Sequence, residues 1–331
     1  MLDPLAIAPV PAPASRSHGV IAEPGIRVLL AAPRGFCAGV RRAIDAVRDA
    51  LAVHGPPVYV RRPIVHNSHV VRELEAEGAI FVEELEDVPA RSIVIFSAHG
   101  VAPDIAEDAI RRDLIAFDAV CPLVSKVHRE VERHRRNGRK VILIGHAGHP
   151  EVEGTLGHVR DGQAYVVGSV ADVAALGLRD DEPTAFAVQT TYSVDDAAEI
   201  VAALRKRFSD LSEPNSSDIC YATTNRQAAV RGIAEQADAV IVAGERFSSN
   251  ACRLAEVASQ TCGSVQLVAR AEELDWSMIP AGGVVGLTAA ASTPESIVQG
   301  ILDALAARYE LHIEKVGSSS EATIFKRLAV A

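Results

Sequence analysis

This chain is poor in aromatic residues and in sulfur, and it has no long apolar run. Aromatics make up 4% of its 331 residues, with a single tryptophan, yet hydrophobic residues still reach 48%. The cores must therefore be built from Val, Ile, Leu and Ala. No apolar stretch approaches the ~20 residues needed to span a bilayer, so no membrane role is expected. A basic excess is also missing. The formal net charge is −10, which argues against a nucleic-acid or acidic-membrane binder. A small anionic substrate stays compatible, because a local pocket is free to be positive inside an acidic protein. The five cysteines are odd in number, widely spaced and without a CxxC pair. That fits a reducing cytoplasm better than a disulfide framework. The segment Met1–Pro24 holds five prolines and lacks a basic start and an unbroken apolar stretch. It is expected to be a disordered leader over 1–25 and not a secretory signal.

Three of the cysteines are placed alike. Cys37 follows RVLLAAPRGF, Cys121 follows LIAFDAV and Cys220 follows SSDI, each just before a helix-like stretch. They lie 84 and 99 residues apart, so each falls in a different unit of a chain long enough for two or three cores. The apolar runs recur in phase with them. The first unit reads as strands at Arg27–Ala32, Val58–Arg61, Ala79–Val82 and Ser92–Phe96, with His66 and His99 just beyond the second and fourth. The second reads as Ile115–Val120, Val141–Ile144, Ala164–Val167 and Ala185–Val188, with His149, Glu151 and Thr190 at strand ends. After Cys220 the third reads as Ala239–Ala243, Val265–Val268 and Val284–Thr288, leading to Ser248, Ser249, Asn250 and Ser292. Helices are expected from near Val40, over Ser125–Arg136 and over Arg226–Gln236.

Short buried strands alternating with helices predict parallel βαβ construction. The fold class is α/β, with three similar βαβ lobes in pseudo-threefold arrangement at 26–120, 121–216 and 217–308, and a C-terminal arm at 309–331. Ligands bind beyond the C-terminal ends of strands in such sheets. Three lobes facing one another would bring the cysteines and polar loops to one central pocket. The opposing reading is an accidental repeat, since apolar runs at such intervals occur in any α/β protein. The phase kept by the cysteines and polar loops argues against it. Cys252 and Cys262 fall out of phase and read as incidental.

Three thiolates from three units would hold an iron–sulfur cluster with one iron left open, where four thiolates are usual. The logic is that of catalytic zinc sites with three protein ligands. Zinc itself, on three cysteines and a histidine, fits less well, because structural zinc ligands come in close pairs. His66, His99 and His149, together with the loop hydroxyls, suit a phosphate or diphosphate, as do amides at helix N-termini. Helix capping competes for the same groups: Ser292 and Glu295 have the spacing of a capping box, with Pro294 early in the helix. Glu151 reads either as a proton donor whose pKa is adjusted by burial or as a first-turn acid offsetting the helix dipole.

Several motifs extend these readings: Pro33-Arg-Gly-Phe-Cys37-Ala-Gly-Val40, Val65-His66-Asn67, Ser97-Ala-His99-Gly100 and Asp118-Ala-Val-Cys121-Pro-Leu. To them are added Gly145-His-Ala-Gly-His149-Pro-Glu151-Val-Glu-Gly154, Gln189-Thr190-Thr191, Cys220-Tyr-Ala-Thr-Thr-Asn-Arg226 and Ser248-Ser249-Asn250. With these the chain resembles the 4-hydroxy-3-methylbut-2-enyl diphosphate reductases, the last enzymes of the non-mevalonate isoprenoid pathway, over roughly Arg27 to Ala306. The resemblance implies a three-lobed α/β protein in which Cys37, Cys121 and Cys220 hold a [4Fe-4S] cluster with one open iron. It implies that His66, His99, Ser248, Ser249, Asn250 and Ser292 grip the diphosphate, and that His149, Thr190 and Glu151 face the substrate hydroxyl. The implied reaction is reductive dehydroxylation to isopentenyl or dimethylallyl diphosphate, with Glu151 and Thr190 relaying a proton. Electrons would come singly from a ferredoxin or flavodoxin.

The chain departs from that family at a few positions. Val120 stands where Thr is expected, Ala290 where Gly is expected, and Cys252 replaces a usual Ser or Asn. The approach to Ser248 reads Gly-Glu-Arg-Phe, where Lys or Asn is commoner. Such changes suit a specialised paralogue. An iron–sulfur dehydratase acting on a related allylic diphosphate would need no reductant. A redox sensor would be expected to lose Glu151 or the diphosphate residues, which this chain keeps.

Overall fold

A computed structural model describes residues 23–159, 162–318 and 321–331. The expected leader lies outside the described residues except at its end, where 23–25 already belong to a strand. In chain order the strands are β1 (Glu23–Ala32), β2 (Val58–Arg61), β3 (Ala79–Val82), β4 (Ile93–Phe96), β5 (Ile115–Asp118), β6 (Lys140–Ile144), β7 (Ala164–Val167), β8 (Thr184–Val188) and β9 (Leu211–Ser212), followed by β10 (Ala239–Ala243), β11 (Val265–Val268), β12 (Val284–Ala289) and β13 (Tyr309–Gly317). They form three sheets of order β3-β2-β4-β5, β7-β6-β8-β9 and β11-β10-β12-β1-β13. Every strand pair is parallel. The central strands are apolar on both faces, as parallel strands covered by helices must be. Strands β4, β8 and β10 are buried throughout.

The three sheets repeat one order, and the repeat has a twist in its connectivity. The strand that leads into each cysteine pairs with the preceding lobe. β5 precedes Cys121 and pairs with β4; β9 precedes Cys220 and pairs with β8; β1 precedes Cys37 and pairs with β12. The helix after each cysteine then returns to its own lobe. The helix Ala38–His54 enters the core of the first lobe, Pro122–Arg136 that of the second and Tyr221–Ala234 that of the third. Each cysteine thus sits on a seam between two lobes.

Two expectations are corrected here. β1 lies in the sheet of the third lobe and not in that of the first. Its run Ile26 to Ala32 is buried apart from Arg27, so it needs a partner on both edges, and β12 and β13 supply them. The helices after Cys121 and Cys220 begin directly behind the cysteines, earlier than Ser125 and Arg226. In both cases the cysteine is itself the N-cap, and Pro122 occupies the first helical turn.

The C-terminal arm runs along β1 as β13 and then crosses to the first lobe. There Val330 enters the core, Lys326 accepts a hydrogen bond on its carbonyl from Arg42, and Arg327 pairs with Asp49 at 3.1 Å. Among the described residues no helix is long and apolar enough to cross a membrane.

Candidate active site

A cavity of about 100 Å³ lies where the three lobes meet. Cys37, Cys121 and Cys220 all line it, and none is in a disulfide. The amide of Val40 donates to Cys37 Sγ and the amide of Thr223 to Cys220 Sγ, each at 3.4 Å. The Thr223 hydroxyl also lies 3.3 Å from Cys220 Sγ. Helix N-termini favour thiolates, yet burial pushes the Cys121 thiol up to about 12 and Cys220 up to about 11. The protein alone therefore leaves these sulfurs protonated. No three His, Cys, Asp or Glu side chains among the described residues are gathered tightly enough for a single ion. The thiols ring a cavity instead.

Gly39 sets how close the first two cysteines come, because a Cβ built there would lie 2.7 Å from Cys121 Sγ. Gly39→Ala is expected to lower stability by about 1–3 kcal/mol, the usual cost of overpacking, with the far-ultraviolet circular dichroism of the folded protein unchanged.

Three imidazoles that line the same cavity lie together. His66 and His99 have ring centroids 4.1 Å apart, and His149 lies 5.1 Å from His66. Burial lowers all three pKa values: His66 to about 4, His149 to about 3, and His99 well below its usual value, with its histidine neighbours adding to the fall. The rings are neutral at pH 7. His149 Nδ1 accepts the Glu151 amide at 3.1 Å, so its proton sits on Nε2. That Nε2, His66 Nε2 and Asn250 Nδ2 are all buried without a partner. Asn250 is held by its Oδ1, which accepts from the Ala291 amide at 2.9 Å. Buried polar atoms left unmet in this way are costly, and an anion entering the cavity would meet the donors His149 Nε2 and Asn250 Nδ2.

The hydroxyls are arranged around the same cavity. Ser248 caps the helix Ser249–Ser259. Ser249 lies 3.3 Å from the Thr191 hydroxyl. Ser292 donates to the His66 carbonyl at 3.1 Å, linking the third lobe to the first. The expected capping box at Ser292 and Glu295 is not formed. Pro294 is the cap of the helix Glu295–Ala306 and Glu295 the first helical residue, so the acid sits two positions too early to reach back. It pairs with Arg34 instead.

Glu151 is 3% exposed. Its Oε1 accepts from the Thr190 amide at 2.6 Å and its Oε2 from the Thr190 hydroxyl at 2.8 Å. Both bonds favour the carboxylate, but burial outweighs them and raises the pKa to about 7, with Asp218 contributing in the same direction. Glu151 is also a first-turn acid of the helix Pro150–Leu156, the position that offsets the helix dipole.

The family model described as LytB protein matches residues 28–306. The chain belongs to the LytB protein family. It is 51% identical over 305 residues to the 4-hydroxy-3-methylbut-2-enyl diphosphate reductase of Methylocella silvestris, covering 92% of this chain and 96% of that relative. It is likewise 51% identical to "4-hydroxy-3-methylbut-2-enyl diphosphate reductase 2" of Rhodopseudomonas palustris, over 92% of this chain and 96% of that one. Among solved structures, the E-1-hydroxy-2-methyl-but-2-enyl-4-diphosphate reductase from Plasmodium falciparum aligns with a TM-score of 0.86 at 39% identity, covering 92% of this chain and 96% of that chain.

In this LytB family member the cavity gathers every residue singled out in the sequence: the three cysteines, the three histidines, Glu151, Thr190, Ser248, Ser249, Asn250 and Ser292. The sequence reading missed three supporting groups: Thr223 on Cys220, Gly39 on Cys121, and Asp218, which accepts the Val188 amide at the end of β8 at 3.0 Å and helps to raise the Glu151 pKa. Gly39 and Thr223 carry a usable signal, standing two and three residues after a cysteine at a helix start. Asp218 carries none. The departures fall unevenly. Ala290 is fully buried in the core of the third lobe, against Gly244. Cys252 and the Arg246–Phe247 pair line an adjoining hollow of about 380 Å³ that shares His66, His149 and Ser249 with the site.

Proposed function

We propose that this chain catalyses the reductive dehydroxylation of 4-hydroxy-3-methylbut-2-enyl diphosphate to isopentenyl and dimethylallyl diphosphate. The observation that carries it is one small cavity in which three thiols, three neutral histidines and a carboxyl group of pKa about 7 converge. The donor set suits a [4Fe-4S] cluster. Three free thiols line one cavity, and burial opposes the ionisation of Cys121 and Cys220; such a set calls for a strongly cationic partner, and Cys37, Cys121 and Cys220 would hold it. When bound, the cluster supplies single electrons and an open Lewis-acidic iron.

The chain's own residues do the rest. The diphosphate is received by the unmet donors of His149 and Asn250, with His66, His99 and the Ser248, Ser249 and Ser292 hydroxyls beside them. Its charge raises the histidine pKa values and so strengthens the grip. Thr190 fixes the Glu151 carboxyl from two sides, and Glu151 keeps a proton at neutral pH for the departing hydroxyl oxygen. Val40, Val65, Leu123 and Val124 line the cavity and keep water from competing. The residual allylic anion takes its proton at either end, which accounts for two products. A small acidic electron donor and a reducing cytoplasm, which suits five free cysteines, complete the reading.

The test is an anaerobic assay after cluster reconstitution, with dithionite and a mediator. Both products are expected, and only when reductant is present. Substrate loss without reductant would make the protein a dehydratase. An intact cluster with no substrate loss would overturn the assignment.

A further inference from the structure

The groups that face the diphosphate come from different lobes. His66 belongs to the first, and Ser248, Ser249 and Asn250 belong to the third. Among the described residues, the segment that carries His66 into the helix Ser68–Glu77 is hydrogen-bonded to the third lobe at two places. One is the bond from the Ser292 hydroxyl to the His66 carbonyl. The other is made by Glu245, three residues before Ser248. Its Oε1 accepts from the Ser68 amide at 3.2 Å and from the Ser68 hydroxyl. The Glu245 carbonyl accepts the Ser248 amide at 3.0 Å. One residue thus fastens the serine turn with its backbone and the histidine segment with its side chain.

The bridge has a physical reason to form. Ser68 opens a helix whose first turn holds no acid of its own. The Asn67 side chain caps that helix through the Val70 amide at 3.1 Å, which leaves the Ser68 amide without an intrahelical acceptor. A carboxylate reaching in from the third lobe satisfies that amide and meets the positive end of the helix dipole. Both Glu245 and Ser68 are half-buried. The ion pair of Arg62 and Glu153, which ties the same segment to the second lobe, has side chains 26% and 46% exposed, so water screens it more. Ser292 lines the substrate cavity, whereas Ser68 and Glu245 do not. An arriving diphosphate therefore competes for the Ser292 hydroxyl but leaves the Glu245 bridge whole.

Resting on the reading of this cavity as a diphosphate site, we propose that Glu245 is a positioning residue that keeps the two halves of the diphosphate grip assembled between the first and third lobes. It does not touch the substrate. A grip built across two lobes binds in proportion to the fraction of molecules in which both halves are in place. Loss of the bridge weakens the hold on substrate and on inorganic diphosphate alike, and leaves the proton path through Glu151 and Thr190 as it was. A carboxylate beside an anion site would by itself repel the ligand. Here the Ser68 amide, the Ser68 hydroxyl and the helix end take up its charge. The departure Gly-Glu-Arg-Phe before Ser248 thereby acquires a use.

The test uses the reconstituted holoprotein. Affinity for inorganic diphosphate is read by calorimetry, and KM and kcat by the reductant-driven assay. Glu245→Ala should raise the diphosphate Kd and KM about tenfold, with kcat within about twofold of the parent, as expected for losing hydrogen bonds to a charged group away from the chemistry. Glu245→Gln keeps an oxygen for the Ser68 amide and hydroxyl and should bring Kd and KM back close to the parent values. Ser68→Ala added to Glu245→Ala should change neither value further. The proposal is overturned if the parent does not bind inorganic diphosphate, or if Glu245→Ala binds it as tightly as the parent or more tightly. It is equally overturned if the glutamine variant is as weak as the alanine variant, or if the alanine variant loses kcat at unchanged KM. Weaker diphosphate binding in Glu245→Ala that Glu245→Gln restores, with no turnover even by the parent, would sink the reductase reading and leave the positioning role standing.

Discussion

Glu151→Gln is expected to slow turnover by about 100- to 10,000-fold, the usual worth of a positioned general acid. Iron content and substrate affinity should stay close to those of the parent. Glutamine keeps the shape and can still accept the Thr190 amide, now 2.6 Å from Oε1. What it lacks is a proton to give. The parent rate should fall as pH rises through about 7, the raised pKa of Glu151, and the residual rate of the variant should not follow that limb. Stability supplies an independent sign. The folded protein keeps this proton up to about pH 7, whereas an unfolded carboxyl releases it near its ordinary value. The stabilisation from this group is complete at acid pH and is lost as pH rises through about 7. Melts at pH 5 and 8 should therefore show the variant losing less stability than the parent over that interval. A variant with parental turnover would remove Glu151 from the proton path.

Glu321→Ala is expected to cost about 3–5 kcal/mol, the penalty for breaking a buried ion pair from one side. Arg226 is fully buried, and Glu321 in the arm is its only carboxylate partner among the described residues, at 2.9 Å. The guanidinium also donates to the Gly35 carbonyl at 2.7 and 3.0 Å and to Ala222 at 3.0 Å. An uncompensated charge would thus be left between the loop of Cys37 and the helix of Cys220. A lower melting temperature and reduced iron retention should appear together. The double variant Arg226→Met, Glu321→Leu removes both charges and should recover most of the stability. Failure of the double variant to recover would assign the loss to arm packing rather than to the buried charge.

Much of this is legible in the sequence, for identifiable reasons. Strands β2, β3, β7, β10 and β11 have the expected bounds because each is a short apolar run closed by turn residues. Cys37, Cys121 and Cys220 stood out because each lies at the same junction of strand and helix. His66, His99, His149 and Glu151 stood out as polar residues at the C-terminal ends of buried strands. The placement of β1 was not legible. A parallel strand buried on both faces reads the same in any sheet, and local pattern does not name its neighbours. The capping box failed for a similar reason, since its spacing fits at Ser292 while the helix starts later.

The sequence alone determined the α/β class, the threefold recurrence and the list of reactive groups, because periodicity and residue type are local properties. Only the tertiary structure decided that the lobes exchange strands and thereby set each cysteine on a seam. It also decided that burial, against two hydrogen bonds from Thr190, carries Glu151 to about 7. It alone brought the arm across to pair with Arg226. Those outcomes depend on which distant surfaces exclude water together, and no stretch of chain encodes that by itself.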